Sequence, residues 1–287
     1  MQSLYDISAP AKLNLFLHIV GRRADGYHLL QSVFMLIDWC DTLHFDVRAD
    51  GAISREDLTI PLPQDDLMVR AARALQQATQ CSKGVHMGVV KSIPAQAGMG
   101  GGSSDAASTL LALNRLWGLG LSLQQLLRIG LTLGADVPFF LQGRNAWVEG
   151  VGEKMTPINI PQSAFLVVKP REGLETGLIF SDPLLKRDTK PAIITGFAED
   201  VFGFGQNDMQ QVAERLCPEV SQALLWLKSQ GLSGRMTGSG SAVFARLKSV
   251  SYTDTAPDNM QAKVCSNLDA HPLMGWACSD GLSVVGL

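Results

Sequence analysis

From Ile7 to Val20 the chain alternates, with Leu13, Leu15, Leu17 and Ile19 on one side and Lys12, Asn14, Phe16 and His18 on the other. That period of two predicts a strand with one apolar face. A lysine and an asparagine two residues apart on the second face mean one of two things: the face is solvated, or the pair is buried and needs polar partners there. A turn, Gly21 to Gly26 (GRRADG), leads to a second apolar strand from Val33 to Ile37. After Asp65 and Asp66 the period becomes helical, with Leu67, Ala71, Leu75 and Ala78 on one line and Arg70 and Arg73 on the solvent side. A strand over Val85 to Ile93 feeds a helix whose inner line is Ala106, Ala107, Leu110, Leu111, Asn114 and Trp117, closed by Gly118 and Gly120. Ser122 caps a further helix along Leu123, Leu126, Leu127 and Leu131, with Gly134 at the position after its end.

Composition shifts at Pro157 to Pro161 (PINIP), which sets a boundary between units 1–158 and 159–287. The second unit reads as a strand over Ala164 to Val168, a charged loop over Lys186 to Pro191, and helices over Asp208 to Leu216 and Glu219 to Gln230. A strand over Val243 to Leu247, a helix near Gln261 to Leu268 and a last strand near Trp276 follow. Strands and helices mixed in this way predict an α+β protein of two domains, and no internal repeat is visible.

The joint between Ile93 and Trp117, IPAQAGMGGGSSDAASTLLALNRLW, concentrates the chemistry. Gly98, Gly100, Gly101 and Gly102 let backbone amides approach a bulky anion, and Ser103 or Ser104 can cap the helix behind them. A helix start also carries partial positive charge, so the stretch reads as a phosphate cradle. It is neither the dinucleotide loop nor the Walker loop, because Ser103 stands where a third glycine is needed and no Gly-Lys-Ser/Thr follows. Asp105, a carboxylate in the first turn, would repel phosphate and is expected to turn away from it. A flexible Gly/Ser linker is the plain alternative.

Net charge of −3 and pI near 5.9 argue against a broad nucleic-acid footprint. No window reaches the roughly 18 apolar residues of a membrane span, so a small molecule is the expected partner. Five cysteines (Cys40, Cys81, Cys217, Cys265, Cys278) lack metal or redox spacing and read as reduced thiols. The first residues, MQSLYDISAP, carry no export or organelle signal, and a cytoplasmic location is expected. No carboxylate cluster has the spacing of a dedicated metal cage.

Three further stretches invite a functional reading beside a structural one. Tyr27 and His28 at a loop exit suit a flat heterocycle, although a lone histidine is more often structural. Asp136, between a helix end and Pro138-Phe139-Phe140, is either a turn cap or a catalytic carboxylate. The second glycine-serine turn, Met236 to Ala242 (MTGSGSA), could meet phosphate or substrate, although such turns are common without ligands.

With PAKLNLFL at Pro10 to Leu17, PAQAGMGGGSSDAA at Pro94 to Ala107 and MTGSGSA at Met236 to Ala242 in this order, the chain resembles the galactokinase, homoserine kinase, mevalonate kinase and phosphomevalonate kinase (GHMP) superfamily. GRRADGYHLLQSVF (Gly21 to Phe34) and GADVPFFL (Gly134 to Leu141) are most similar to the branch that phosphorylates the 2-hydroxyl of a diphosphocytidyl methylerythritol on the non-mevalonate route to isoprenoids. The resemblance covers roughly Ala9 to Ala245. It implies a ribosomal protein S5 domain 2-like N-terminal domain and a ferredoxin-like C-terminal domain. ATP is then the phosphoryl donor, with Mg²⁺ bound along with the nucleotide.

By motif match, Pro94, Ala95, Gln96, Ala97, Gly98, Met99, Gly100, Gly101, Gly102, Ser103 and Ser104 would wrap the triphosphate. Lys12 and Asp136 would be the catalytic pair. Asn14, Tyr27, His28, Phe180, Gly238 and Ser239 would contact the substrate, His28 bonding cytosine between Tyr27 and Phe180. One departure is Asp66, where relatives more often carry asparagine on the adenine side. The alternatives are another small-molecule kinase of the superfamily, of homoserine or mevalonate type, or a nucleotide-binding regulator without catalysis. A hydrolase built on Ser103 or Ser239 is disfavoured, because neither sits in G-x-S-x-G. As for assembly, a monomer or a homodimer is expected.

Overall fold

A computed structural model of the chain describes residues 2–248 and 255–278. Six strands, β1 (Ser3–Arg22), β2 (His28–Arg48), β3 (Ile53–Asp57), β4 (Gly84–Val90), β5 (Ala146–Gly150) and β6 (Lys154–Pro157), form the first sheet. The long β2 is its spine. β1 pairs along one edge of it, while the other edge is shared by β5 near Leu30 to Phe34 and by β4 from Thr42 to Arg48. Over this sheet lie α1 (Leu67–Thr79), α2 (Gly101–Trp117), α3 (Leu123–Leu133) and α4 (Val137–Gln142).

The second sheet takes β7 (Ala164–Pro170), β8 (Gly234–Met236), β9 (Val243–Leu247) and β10 (Met260–Ser266) in the order β10-β7-β9-β8, all antiparallel, which is the ferredoxin order. Between β7 and β8 come α5 (Thr176–Ser181), α6 (Ile194–Glu199), α7 (Gln210–Leu216) and α8 (Pro218–Ser229).

Three apolar clusters stack these layers. Phe34, Leu36, Val85 and Met87 pack under the helices; Leu13, Met35 and Ile37 meet Phe165, Val167 and Phe244 of the second sheet; and Leu166 and Val168 face Val220 and Leu227 of α8. The first sheet is thus covered on both faces. A strand between two covered faces has no solvated side, which settles the ambiguity at β1: Lys12 and Asn14 are both buried.

Several expectations are corrected by packing. The alternation of β1 breaks at an irregularity between Asn14 and Leu17, so Phe16 joins the cluster of Leu13 and Leu15 instead of the Lys12 face. Within α1, Ala78 is exposed. α2 starts at Gly101 with Gly100 as a left-handed N-cap, so neither Ser103 nor Ser104 caps it. From Ser104 to Trp117 only Arg115 is exposed, so the expected apolar line understates a helix enclosed by β1, β2, α1, α3 and α4. Ser122 caps α3 in a full capping box with Gln125, but Leu131 faces solvent and Gly134 is extended instead of left-handed. The segment Met260–Ser266 is a strand, not a helix. Its Gln261 and Lys263 point out while Met260, Ala262 and Val264 point in, the alternation of an edge strand. Trp276 lies in a turn, not a strand.

The tail past β10 crosses back to the first lobe. Leu268 N donates to Leu36 O (2.9 Å), Asn145 Nδ2 to Leu268 O (2.8 Å) and His271 N to Gly143 O (2.9 Å), and Leu273 enters the cluster beneath α2. Residues 249–254, and the end of the tail beyond Cys278, lie outside the described residues.

His271 fastens this strap. Its Nδ1 accepts from Leu273 N (3.1 Å), which leaves Nε2–H facing Ser108 Oγ at 3.4 Å on α2, and burial pushes its pKa down to about 4. The fold favours the neutral ring, so this stabilisation is complete above the ordinary value near 6.5 and is lost as pH falls towards 4, by up to about 3 kcal/mol. Denaturant melts at pH 7 and pH 4.5 should show a smaller loss in His271→Leu than in the parent chain; equal losses would remove His271 as the cause.

The five cysteines are free thiols, and burial raises Cys40 to about 11 and Cys265 to about 12, which makes both poor nucleophiles at neutral pH. Among the described residues, no helix is long and apolar enough to cross a membrane.

Candidate active site

A cleft of about 1460 Å³ opens where the glycine loop, the ends of β1 and β2 and the α5 region converge. Of the residues that the sequence singles out, Lys12, Asn14, Tyr27, His28, Asp136, Phe180, Gly238, Ser239 and the loop from Pro94 through Ser103 all line it. Ser104 does not. Its backbone N–H closes the first turn of α2 on Gly100 O (2.9 Å), and its Oγ is buried without a hydrogen-bond partner. The unspent amides at the helix start are therefore those of Gly101, Gly102 and Ser103, aimed with the dipole of a 17-residue helix. Gly100 holds φ +72°, and a Cβ there would sit 3.0 Å from the Phe140 ring and 3.4 Å from Lys12 Cε. Only glycine lets the loop pass this close to the lysine.

Lys12 comes off β1 beneath that loop. Its Nζ donates to Asn14 Oδ1 (2.5 Å), lies 4.8 Å from the centre of the Phe34 ring and faces Asp136 Oδ2 at 3.7 Å. Burial lowers the Lys12 pKa, while the charge of Asp136 works the other way. Asp136 stands at the start of α4 but caps nothing there, which removes its plain structural reading; its side chain is 34% exposed in the cleft. Asn14 is held on both sides, its Nδ2 donating to Ser32 Oγ (2.8 Å) and its backbone N to Thr237 Oγ1 (2.9 Å). It therefore orients Lys12 as well as lining the cleft.

The sequence did not point to Lys91 or Asp41. Lys91 Nζ donates to Asp41 and, at 2.6 Å, to Asp105 Oδ2, while Asp41 Oδ1 accepts from Ser92 N (2.6 Å) and Ile93 N (2.8 Å). One buried cation thus ties β2, the end of β4 and the first turns of α2, and Asp105 turns its carboxyl to Lys91. Burial, with Asp41 alongside, pushes the Asp105 carboxyl up from its ordinary value despite the lysine. No local pattern marks these residues, because they meet across 64 positions of chain. Asp66, at the outer end of the cleft, accepts from Val69 N (3.1 Å) as the α1 cap and pairs with Arg55.

At the opposite end Tyr27 is 63% exposed, and the ring facing Phe180 is that of His28, stacked at 4.8 Å and 21°. Arg187 Nε donates to His28 Nε2 at 3.0 Å. Ser239 Oγ shares a hydrogen bond with Thr176 Oγ1 (2.7 Å), and Gly238 packs against Gly98, joining the two glycine turns in one wall. Among the described residues, no three His, Cys, Asp or Glu side chains converge to hold a metal ion. A divalent cation here would take its ligands largely from the phosphates it accompanies.

The GHMP kinases N terminal domain family matches residues 66–144 and the GHMP kinases C terminal family residues 190–270. The 4-diphosphocytidyl-2-C-methyl-D-erythritol kinase of Albidiferax ferrireducens is 71% identical over 284 residues, 99% of each chain. Its counterpart from Verminephrobacter eiseniae is 62% identical over 98% of this chain and 100% of its own. A crystal structure of 4-(cytidine 5'-diphospho)-2C-methyl-D-erythritol kinase superposes with a TM-score of 0.76 at 31% identity, over 91% of this chain and 98% of that one. A homoserine kinase from Cytophaga hutchinsonii shares the fold at a TM-score of 0.66 and 14% identity, over 94% and 96%.

Proposed function

The chain belongs to the GHMP kinases and, within them, to the 4-diphosphocytidyl-2-C-methyl-D-erythritol kinase family, and from that premise we propose that its cleft transfers the γ-phosphoryl group of ATP to the 2-hydroxyl of 4-diphosphocytidyl-2-C-methyl-D-erythritol. The observation that carries the reading is the buried Lys12 ammonium facing Asp136 at 3.7 Å beside the open start of α2. Phosphoryl transfer needs positioning and neutralisation of charge on the equatorial oxygens more than covalent help from the protein.

In this reading the amides of Gly101, Gly102 and Ser103 hold the β- and γ-phosphates, and Lys12 meets the charge on the transferring group. Asp136 takes the proton of the attacking hydroxyl as the bond to phosphorus forms and ADP leaves. Mg²⁺ bound with ATP would add charge neutralisation. The cytosine is recognised at the corner of Tyr27, His28 and Phe180, and Gly238 and Ser239 border the acceptor. We place the working division of the chain at 1–158 and 159–287, with the cleft between, and a cytoplasmic setting follows from an intracellular nucleotide donor.

Transfer of labelled γ-phosphate from ATP with Mg²⁺ to the cytidine compound, beside homoserine and mevalonate, tests this directly. Label is expected in the cytidine compound alone. Transfer to either rival would discard the substrate, and no transfer to any acceptor would favour the non-catalytic regulator.

A further inference from the structure

Arg187 lies in the loop between α5 and α6 and commits four of its five guanidinium N–H donors. Nη2 donates to the carbonyls of Phe180 (3.0 Å) and Asp182 (2.8 Å), Nη1 donates to the carbonyl of Leu185 (2.9 Å), and Nε crosses to His28 Nε2 at 3.0 Å. The same side chain therefore holds the backbone of Phe180 at the end of α5 and pins the histidine ring stacked against it. Arginine has donors only, so the hydrogen bond to His28 leaves one possible assignment: Nε2 is the acceptor, and the neutral ring carries its proton on Nδ1. Nδ1 makes no hydrogen bond among the described residues. Burial and the cations of Arg187 and Arg22 also hold His28 below its ordinary pKa, which agrees with a neutral ring.

Resting on the reading of this corner as the base site, we propose that Arg187 is a positioning residue that presents His28 to the base as an Nδ1–H donor and thereby favours cytosine over uracil. The two bases differ at N3, an acceptor in cytosine and an N–H in uracil. A ring locked as a donor can satisfy the first and leaves two donors opposed in the second, and a site built around one hydrogen-bond polarity rejects the other strongly. Without Arg187 the ring can carry its proton on either nitrogen, so it can adapt to both bases.

The test pairs a spectroscopic measurement with a kinetic one on the full chain. In protein labelled with ¹⁵N-histidine, the His28 signal is identified by its loss in His28→Asn. It should show a protonated Nδ1 and a pyridine-type Nε2 in the parent chain and a mixture of tautomers in Arg187→Met. In phosphoryl transfer, Arg187→Met should raise KM for the cytidine acceptor about tenfold, hold KM for ATP within about twofold and cut the preference for cytidine over the uridine analogue about tenfold. Arg187→Lys, which keeps the positive charge and a single donor nitrogen, should fall between.

A protonated Nε2 in the parent chain would overturn the assignment whatever the variants do. An unchanged cytidine preference in a folded Arg187→Met, or a loss shared equally by ATP, would overturn the positioning role. Refusal of the cytidine compound by the parent chain would instead strike the proposed function, and with it this inference.

Discussion

Asp136→Asn is expected to lower turnover by roughly 10²- to 10⁴-fold while ATP binds within a few-fold of the parent affinity. Two losses combine. The amide cannot take the acceptor's proton, and the buried Lys12 loses the carboxylate facing it at 3.7 Å. Burial is the largest influence on Lys12 and lowers its pKa, and Asp136 is what opposes it. Removing that charge therefore lowers Lys12 further, so the residual activity of Asp136→Asn should fail at a lower alkaline pH than the parent's does. The sign follows from the chemistry: the cation is the useful form, and a depressed pKa brings its loss closer to neutrality. Lys12→Met should show a comparable loss without that moving alkaline limb. Near-parent turnover in either variant would remove that residue from the chemistry, and an alkaline limb that stays in place would uncouple the pair.

The parts of this site that lie within one local stretch could be read before folding. The glycine loop and its helix announce themselves through composition followed by periodicity, and Lys12 with Asn14 stands out as polar spacing in an apolar strand. Whether that polar face is buried could not be read from β1, because it depends on Phe34, the glycine loop and the start of α4, which come later in the chain. Lys91 with Asp41 and Asp105, and Arg187 with His28, are legible only once distant segments meet. The edge strand β10 reads as a helix from its sequence because seven residues of mild alternation compete poorly with a helical line of the same composition. The strap after it, being irregular, has no periodic signal at all.

The interlock of the two glycine turns gives the other large effect. Gly98 holds φ +71°, and a Cβ on it would lie 2.4 Å from Thr237 O; Gly238 holds φ +55°, and its Cβ would lie 2.5 Å from Gly98 O. Both obstacles are backbone atoms, which cannot swing aside as the end of a side chain could. They are also stitched in place, by Ser241 N to Gln96 O (3.1 Å) and Ala242 N to Ala97 O (3.3 Å), with Asn207 Nδ2 holding Gly238 O (2.8 Å). Gly238→Ala must therefore push on Gly98, and the displacement reaches the phosphate loop although Gly238 belongs to the other lobe. Misplacement of about 1 Å at a reacting group can cost on the order of 10²-fold, so kcat/KM for ATP should fall by about that factor. Gly118 supplies the comparison: its φ is also positive, +70°, but nothing lies within 4 Å of where its Cβ would be. Gly118→Ala should cost roughly 1 kcal/mol of stability from backbone strain and leave kcat/KM unchanged. If Gly238→Ala behaves like Gly118→Ala in both melting and kinetics, the second turn does not hold the first.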